Sequence, residues 1–225
     1  MSDELKRCPF CDEEIRVKGF NKSKIKILSA LTRLRQICCD PSVFIEDYLG
    51  NSGKLQALDE LLEEGIAEGH RILLFSQFTR VLKNIENRLN ASNIQYMYLD
   101  GQTKAEDRIQ MVEDFNSGSA NVFLISLKAG GTGLNLTGAD LVIHFDPWWN
   151  PAVEDQATDR AHRIGQKNTV EVIKLVAKGT IEEKIYNLQE VKKEIIKSVM
   201  DYESLEESFI SNMSAEEIQE LFKFA

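Results

Sequence analysis

Five short runs of apolar residues, each followed by a polar or helical stretch, restrict this chain to one class of fold. A strand that is apolar on both faces is typical of a parallel sheet covered by helices on both sides and joined by right-handed crossovers. We therefore predict an α/β core over residues 54–178. The five runs are RILLFS at 71–76, YMYL at 96–99, VFLIS at 122–126, LVIHF at 141–145 and VEVIKLVA at 170–177.

Helical periodicity fills two of the gaps between these runs. One pattern comprises Phe78, Leu82, Ile85 and Leu89, and the other comprises Ile109, Val112 and Phe115. The second helix opens with TKAE at 103–106, which predicts a capping box in which Thr103 and Glu106 satisfy backbone N–H groups. Ligands of open parallel sheets lie at the carboxyl ends of the strands. We expect the loops after Phe75, Leu99, Ser126 and Phe145 to share that edge.

Helical extensions are predicted on both sides of this core. Residues 1–20 form a polar lead-in without clear periodicity, and residues 21–53 contain an amphipathic helix that stops before Pro41, followed by a linker in which Ser52 caps the next helix. After the core, residues 179–225 predict a long helix over 180–200 and a short one over 214–224 that opens with a capping box.

The composition is that of an ordinary globular chain of 225 residues, with 43% hydrophobic and 28% charged residues. Its net charge of −9 argues against a wholly basic surface, so any contact with nucleic acid must be local. No apolar run approaches the roughly 20 residues that span a bilayer, and the start lacks the apolar segment of a signal peptide. We expect no membrane association and a cytoplasmic, nucleoid or nuclear location.

Four cysteines are present, two in CPFC at 8–11 and two adjacent at Cys38 and Cys39. A zinc site needs two well-spaced pairs, and one CxxC followed by two neighbours within a helical pattern fits poorly. We therefore expect reduced thiols and no bound metal, with zinc at CPFC as the alternative.

The stretch DQATDRAHRIGQ at 155–166 is the strongest candidate for a functional site. On one short helix, Gln156, Arg160 and Arg163 would form a polar stripe of one amide and two permanent cations, which suits an anion. The alternative is a solvated helix held by an Asp159–Arg163 pair.

Glycines and prolines mark two further loops. SLKAGGTGLNLTG at 126–138 allows backbone N–H groups to approach a phosphate, although it lacks the P-loop pattern, and it is equally consistent with a tight turn. In FDPWWNP at 145–151, Pro151 suits the first turn of a helix, and Trp148 and Trp149 either pack in the core or stack on bases.

Two strand-to-helix turns complete the candidate set. Ser76 and Gln77 follow the first predicted strand, and Gly101 and Gln102 follow the second. Free N–H groups at such helix starts bind phosphate oxygens, and they also occur as simple caps.

Taken in order, LLFSQF, YLDGQT, SLKAGGTGLNL, HFDPWWNP and DQATDRAHRIGQ resemble the second RecA-like lobe of Swi/Snf-type ATPases, a branch of helicase superfamily two. The resemblance extends to LTRLRQICCDP upstream and GTIEEKIYNLQEVKKEI downstream. It implies a RecA-like sheet of about five or six strands. It also implies a motor that hydrolyses ATP with Mg²⁺ between two lobes while it tracks along double-stranded DNA.

The resemblance also assigns roles to individual residues. Arg160 and Arg163 match arginine fingers that reach the γ-phosphate held by the first lobe of the same protein, with Gln156 beside them. Gly131, Gly133 and Asn135 match the motif that couples the nucleotide site to DNA. The matches to positions near the DNA backbone are Ser76, Gln77, Gly101, Gln102, Lys128 and Trp149.

The sequence departs from the family pattern in one important respect. The first lobe, with its phosphate loop and its magnesium-binding acidic box, is not part of these 225 residues, so we expect the chain alone not to hydrolyse ATP. The alternatives are a stand-alone nucleic-acid or protein-binding module with the same fold, and a lobe of a helicase that separates strands.

Overall fold

The computed structural model describes residues 5–7, 14–16, 20–130, 133–163, 165–196 and 221–222. Its centre is a parallel sheet of five strands, β3 (Ile72–Ser76), β4 (Tyr96–Leu99), β5 (Val122–Ser126), β6 (Leu141–His144) and β7 (Glu171–Lys174). Their order in the sheet is β4-β5-β3-β6-β7. All five predicted strands are confirmed, and so is the RecA-like α/β class.

Helices cover both faces of the sheet, as the apolar runs require. The helices of the core are α2 (Gly53–Ala67), α3 (Thr79–Ala91), α4 (Ala105–Ser117), α5 (Leu127–Gly130) and α6 (Pro151–Thr158). Successive strand residues point to opposite faces. Ile72 and Leu74 therefore pack with α2 and α3, while Leu73 and Phe75 pack with residues of α4, α5 and α6.

Two further helices flank the core, α1 (Phe20–Cys39) and α7 (Ile181–Ile196). They meet each other, and a third apolar cluster joins Leu31 of α1, Ile181 and Ile185 of α7, Trp149 and Leu221. The predicted helices on both sides of the core are thus confirmed, although most of the predicted helix over 214–224 lies outside the described residues. A two-stranded antiparallel hairpin, β1 (Leu5–Arg7) and β2 (Glu14–Arg16), occupies part of the stretch predicted as a lead-in without periodicity.

Two predicted helix starts have different outcomes. Ser52 caps α2, since its Oγ accepts a hydrogen bond from the backbone N–H of Leu55 at 3.3 Å. The capping box at 103–106 is wrong, because α4 begins only at Ala105 and Lys104 is its N-cap. The Oγ1 of Thr103 instead accepts from the backbone N–H of Asp100 at 3.1 Å, which closes the turn after β4.

The helical pattern on α4 marks the core only in part. Phe115 is fully buried, whereas Ile109 is 65% exposed.

We expect Phe123→Ala, in the buried centre of β5, to lower the free energy of unfolding by about 3–5 kcal/mol, because it leaves a cavity between sheet and helices. We expect the matched Ile109→Ala to change it by no more than about 0.5 kcal/mol. Denaturant unfolding of both variants checks this, and equal effects would contradict it.

Among the described segments, none of the helices combines the length and the apolar character that crossing a bilayer requires.

Candidate functional site

The carboxyl ends of the five parallel strands meet at one edge of the sheet. The turns after β3, β4, β5 and β6 all emerge there, as predicted, because neighbouring strands pair in parallel register. This edge carries most of the candidate residues. Three cations, Arg80, Lys128 and Arg163, are exposed on three different segments near this edge.

The segment carrying the two arginines is not a helix, so that prediction is wrong. Helix α6 ends at Thr158, and residues 159–163 form turns. The carbonyl of Arg160 accepts a hydrogen bond from the backbone N–H of Leu136 at 2.9 Å, and this contact with the glycine-rich loop replaces the next helical turn. Arg160 and Arg163 therefore do not share a helix face, and Gln156 remains on α6, exposed to solvent.

Arg160 and Arg163 have different environments. Arg160 is only 4% exposed, whereas Arg163 is exposed to solvent. Burial lowers the pKa of the Arg160 guanidinium, the positive charge of Arg163 lowers it further, and Asp159 opposes both effects. A guanidinium whose charge is disfavoured by burial and by a neighbouring cation marks a place where a bound anion would be favourable.

The glycine-rich loop is joined to this arginine turn by side-chain bonds as well. Arg163 Nη1 lies 3.5 Å from the carbonyl oxygen of Gly133, and Gln166 Nε2 donates to the carbonyls of Thr137 at 3.2 Å and Ala139 at 2.6 Å. Gly133 has φ +57°, a conformation that favours glycine. The structure thus brings two separate sequence motifs into one site.

Asn116 holds the same loop from the other side, a role that the sequence pattern did not reveal. Its Nδ2 donates to the carbonyl of Asn135 at 2.8 Å, and its Oδ1 accepts from the N–H of Gly138 at 2.9 Å. A side chain at Gly138 would collide with Asn116 and Arg71, because a Cβ there would lie 2.8–2.9 Å from their atoms. Gly133 and Asn135 are exposed, and Gly131 lies outside the described residues.

The six residues predicted near a DNA backbone divide into two groups. Gly101, Gln102 and Lys128 are exposed at the carboxyl edge, and Gln77 is half-buried beside them. A groove of about 470 Å³ adjoins Gln102; its lining includes Arg80 and Lys83 of α3.

Ser76 and Trp149 belong to the interior and offer no surface to DNA in this structure. Ser76 is 1% exposed and its hydroxyl donates to Asp146. Trp149 is 8% exposed and packs against Leu31 and Ile181. Of the two alternatives for this residue, the structure therefore has packing in the core and not a surface for stacking on bases. Pro151 stands at the start of α6 as predicted, with Asn150 as N-cap.

Three buried carboxylates and their cationic partners fix the loop between β6 and α6. Asp146 faces Arg35 at 3.6 Å, Glu154 pairs with Lys174, and Glu182 pairs with Lys54. All three acids are at most 3% exposed. Glu154 also accepts the N–H of Trp148 at 2.6 Å and an N–H of Gln189 at 2.7 Å. Sequence reasoning missed this network, since its members come from helices, a strand and a loop that are far apart in the chain.

Burial raises the pKa of Asp146 to about 6, against the opposing charge of Arg35 and the hydrogen bond from Ser76. In the unfolded chain this carboxyl has its ordinary pKa of 3.8, so it loses its proton at a lower pH than in the folded chain. Between about pH 4 and 6 the folded chain therefore holds this proton while the unfolded chain has released it. As the pH rises through that window, the free energy of unfolding falls because of this carboxyl.

We expect Asp146→Asn to remove that contribution. The free energy of unfolding of the wild type should fall relative to the variant by up to about 3 kcal/mol between pH 4 and 6. Urea unfolding of both proteins at several pH values checks the difference in slope, which is independent of any constant loss caused by the substitution. Parallel curves would contradict the raised pKa.

A parallel sheet whose carboxyl edge carries paired arginines and a glycine-rich loop defines a RecA-like lobe. The helicase conserved C-terminal domain family matches residues 53–165. An uncharacterized ATP-dependent helicase of Mycoplasma pneumoniae is 41% identical over 204 residues, covering 90% of this chain and 19% of that protein. The chain thus spans about a fifth of the length of this curated relative.

Two solved structures from Sulfolobus solfataricus have the same fold. One is described as a SWI2/SNF2 ATPase C-terminal domain, with 34% identity, a TM-score of 0.71, and coverage of 91% of this chain and 84% of that one. The other is a SWI2/SNF2 ATPase core in complex with dsDNA, with 37% identity, a TM-score of 0.73, and coverage of 91% and 43%. This chain belongs to the helicase conserved C-terminal domain family and is a C-terminal lobe of the SWI/SNF type.

Proposed function

We propose that this chain is the second motor lobe of an ATPase that translocates on double-stranded DNA. In this proposal, ATP with Mg²⁺ is bound mainly by a first RecA-like lobe of the same protein, and the present lobe closes the site. The observation that carries the proposal is the meeting of the Gly133–Asn135 loop with the turn of Arg160 and Arg163 at the carboxyl edge.

The arginines act on the phosphates in this proposal. A guanidinium placed on the transferred phosphoryl group stabilises charge that develops in the transition state, and it needs no reorganisation when the reaction occurs. Arg160 is held by burial and by the bond from Leu136 to its carbonyl, whereas Arg163 is exposed and lies against Gly133. Arg160 is thus the pre-organised member of the pair, and Arg163 extends the positive charge toward the opposite lobe.

The exposed part of the same edge contacts DNA in this proposal. Gln77, Gly101, Gln102 and Lys128 end or follow neighbouring strands, and backbone N–H groups and a lysine are suited to phosphate oxygens. The loop 133–139 lies next to the arginine turn and follows Lys128 by a few residues, so it offers a direct mechanical link between a DNA contact and the phosphate contacts. The Sulfolobus solfataricus core structure, which is described as a complex with dsDNA, supports double-stranded DNA as the kind of partner.

The test is ATP turnover by the protein that contains both lobes, with and without duplex DNA, beside the 225-residue chain alone. We expect strong stimulation by duplex DNA in the first case and no turnover in the second. Displacement of a third strand from a triplex would report translocation, and release of a single strand from a duplex would indicate a strand-separating helicase instead. Tight, steeply salt-dependent binding of duplex by the chain alone, without DNA-stimulated turnover in the two-lobed protein, would favour the binding module.

A further inference from the structure

Arg35 lies on α1, outside the region 53–165 that the family model matches, yet it reaches the loop between β6 and α6. Its side chain is 2% exposed, donates a hydrogen bond to the carbonyl of Pro147, and faces the Asp146 carboxylate at 3.6 Å. Its guanidinium also lies 5.4–5.5 Å from the ring centroids of Phe78, Trp148 and Trp149. The Arg35 side chain thus contacts this loop in three ways: it faces the Asp146 carboxylate, donates a hydrogen bond to the Pro147 carbonyl and lies near both indole rings.

Asp146 extends this contact to the turn after β3. Its carboxylate accepts the hydroxyl of Ser76 and the backbone N–H of Gln77, at 3.3 and 3.4 Å from its two oxygens. The Ser76 hydroxyl oxygen in turn accepts the N–H of Phe78 at 3.1 Å. The orientation of the Gln77 turn, where α3 begins, therefore depends on the position of Asp146, and the position of Asp146 depends on Arg35.

The chemistry of the contact requires an arginine. A planar guanidinium donates along several directions and stacks on aromatic rings, whereas a lysine ammonium is a point charge on a flexible stem. Asp146 is fully buried, so removing its cation would leave a carboxylate without a charge partner in the interior. The loop would then be expected to move toward solvent.

We propose that Arg35 is a positioning residue for the motor edge, acting through Asp146 on the Gln77 turn and on the loop that carries Trp148 and Trp149. The inference rests on the proposed function for its effect on DNA, and on the structure alone for its effect on the loop. It assigns the helix upstream of the conserved domain a part in the site.

The first test uses the only two tryptophans of the chain, both of which lie in this loop. In the 225-residue chain, we expect Arg35→Met to increase acrylamide quenching of tryptophan fluorescence by roughly twofold, because loss of a buried charge partner exposes the loop. Arg33→Met is the matched control, since Arg33 lies on the same helix and is exposed. Equal quenching in the two variants, each shown by circular dichroism to be folded, would overturn the inference.

The second test measures the DNA concentration that gives half-maximal ATP turnover in the two-lobed protein. We expect Arg35→Met to raise it by about tenfold relative to Arg33→Met, because a small misplacement of a contact site is costly. A partly unfolded preparation lowers the maximal rate without changing this concentration, so the readout separates positioning from stability.

If Arg35→Met does not fold, Arg35→Lys provides the test, because it keeps the charge and loses the planar contacts. We expect Arg35→Lys to raise the DNA concentration for half-maximal turnover by roughly threefold. If duplex DNA stimulates the wild type, and the folded Arg35 variants need the same DNA concentration as Arg33→Met, this inference is overturned and the proposed function is not. A wild type whose turnover ignores duplex DNA would overturn the proposed function, and the DNA part of the inference with it.

Discussion

Replacing Arg160 by alanine in the two-lobed protein is expected to lower DNA-stimulated ATP turnover by about a thousandfold, because an arginine finger contributes on that order to phosphoryl transfer. Arg163→Ala should have an effect of the same kind. Arg160→Lys should recover little of the loss, since an ammonium does not reproduce a planar, bidentate contact. Steady-state turnover at saturating ATP and DNA checks all three variants.

His162→Ala is the matched control, because His162 lies between the two arginines in the same turn and is exposed. Its turnover should remain within about twofold of the wild type, as expected for a surface substitution away from the chemistry. If Arg160→Ala and Arg163→Ala each stayed within the same range, the finger assignment would be wrong. Circular dichroism of the Arg160 variants is needed, because that side chain is buried.

Glu182→Met is expected to lower the free energy of unfolding by about 3–5 kcal/mol, because it leaves Lys54 buried without its partner. The carboxylate of Glu182 is fully buried, and the Lys54 side chain is 5% exposed. Glu182 also accepts the N–H of Ala177 at 2.9 Å and the thiol of Cys39 at 3.6 Å. It therefore joins α1, α2 and the start of α7, and denaturant unfolding should show the loss directly.

The double variant Lys54→Met/Glu182→Met should recover most of that loss, since an apolar pair of similar volume is often neutral compared with a buried ion pair. Asp59→Asn provides the exposed control: Asp59 pairs with Arg88 where both side chains are more than a third exposed, so about 1 kcal/mol or less is expected. If the single Glu182→Met variant is as stable as Asp59→Asn, the Glu182–Lys54 pair does not stabilise the packing of α1 and α7 on the core.

The buried network changes how the lobe is bounded. Residues 21–53 and 179–225 were predicted as extensions of a core. In the structure, α1 and α7 pack against Trp149 in the loop between β6 and α6, and the three buried ion pairs lie in the same region. The Cys38 and Cys39 thiols lie in this region, and burial raises the pKa of both, which keeps them protonated. Cys8 and Cys11 lie outside the described residues, so zinc at CPFC stays an untested alternative.

The strands were predictable because apolar runs such as VFLIS and LVIHF are of strand length and rich in β-branched and aromatic residues, which favours the centre of a covered parallel sheet. The edge where the site lies follows from the same fact, since parallel strands end together. The turn that carries the arginines was not predictable from spacing, which instead indicated a helix. A hydrogen bond from Leu136 to the carbonyl of Arg160 competes with the next helical turn, and that bond forms only in the folded chain.

The sequence by itself determined the fold class, the strand positions and the motifs by which the family is recognised, because these depend on local apolar pattern and on the order of short segments. Only the tertiary structure decided that Arg160 is buried, that Ser76 and Trp149 face inward, and that Arg35 supports the loop after β6. Those properties depend on which distant residue supplies a charge or a carbonyl at each point. Such partners are chosen by packing, which no local spacing encodes.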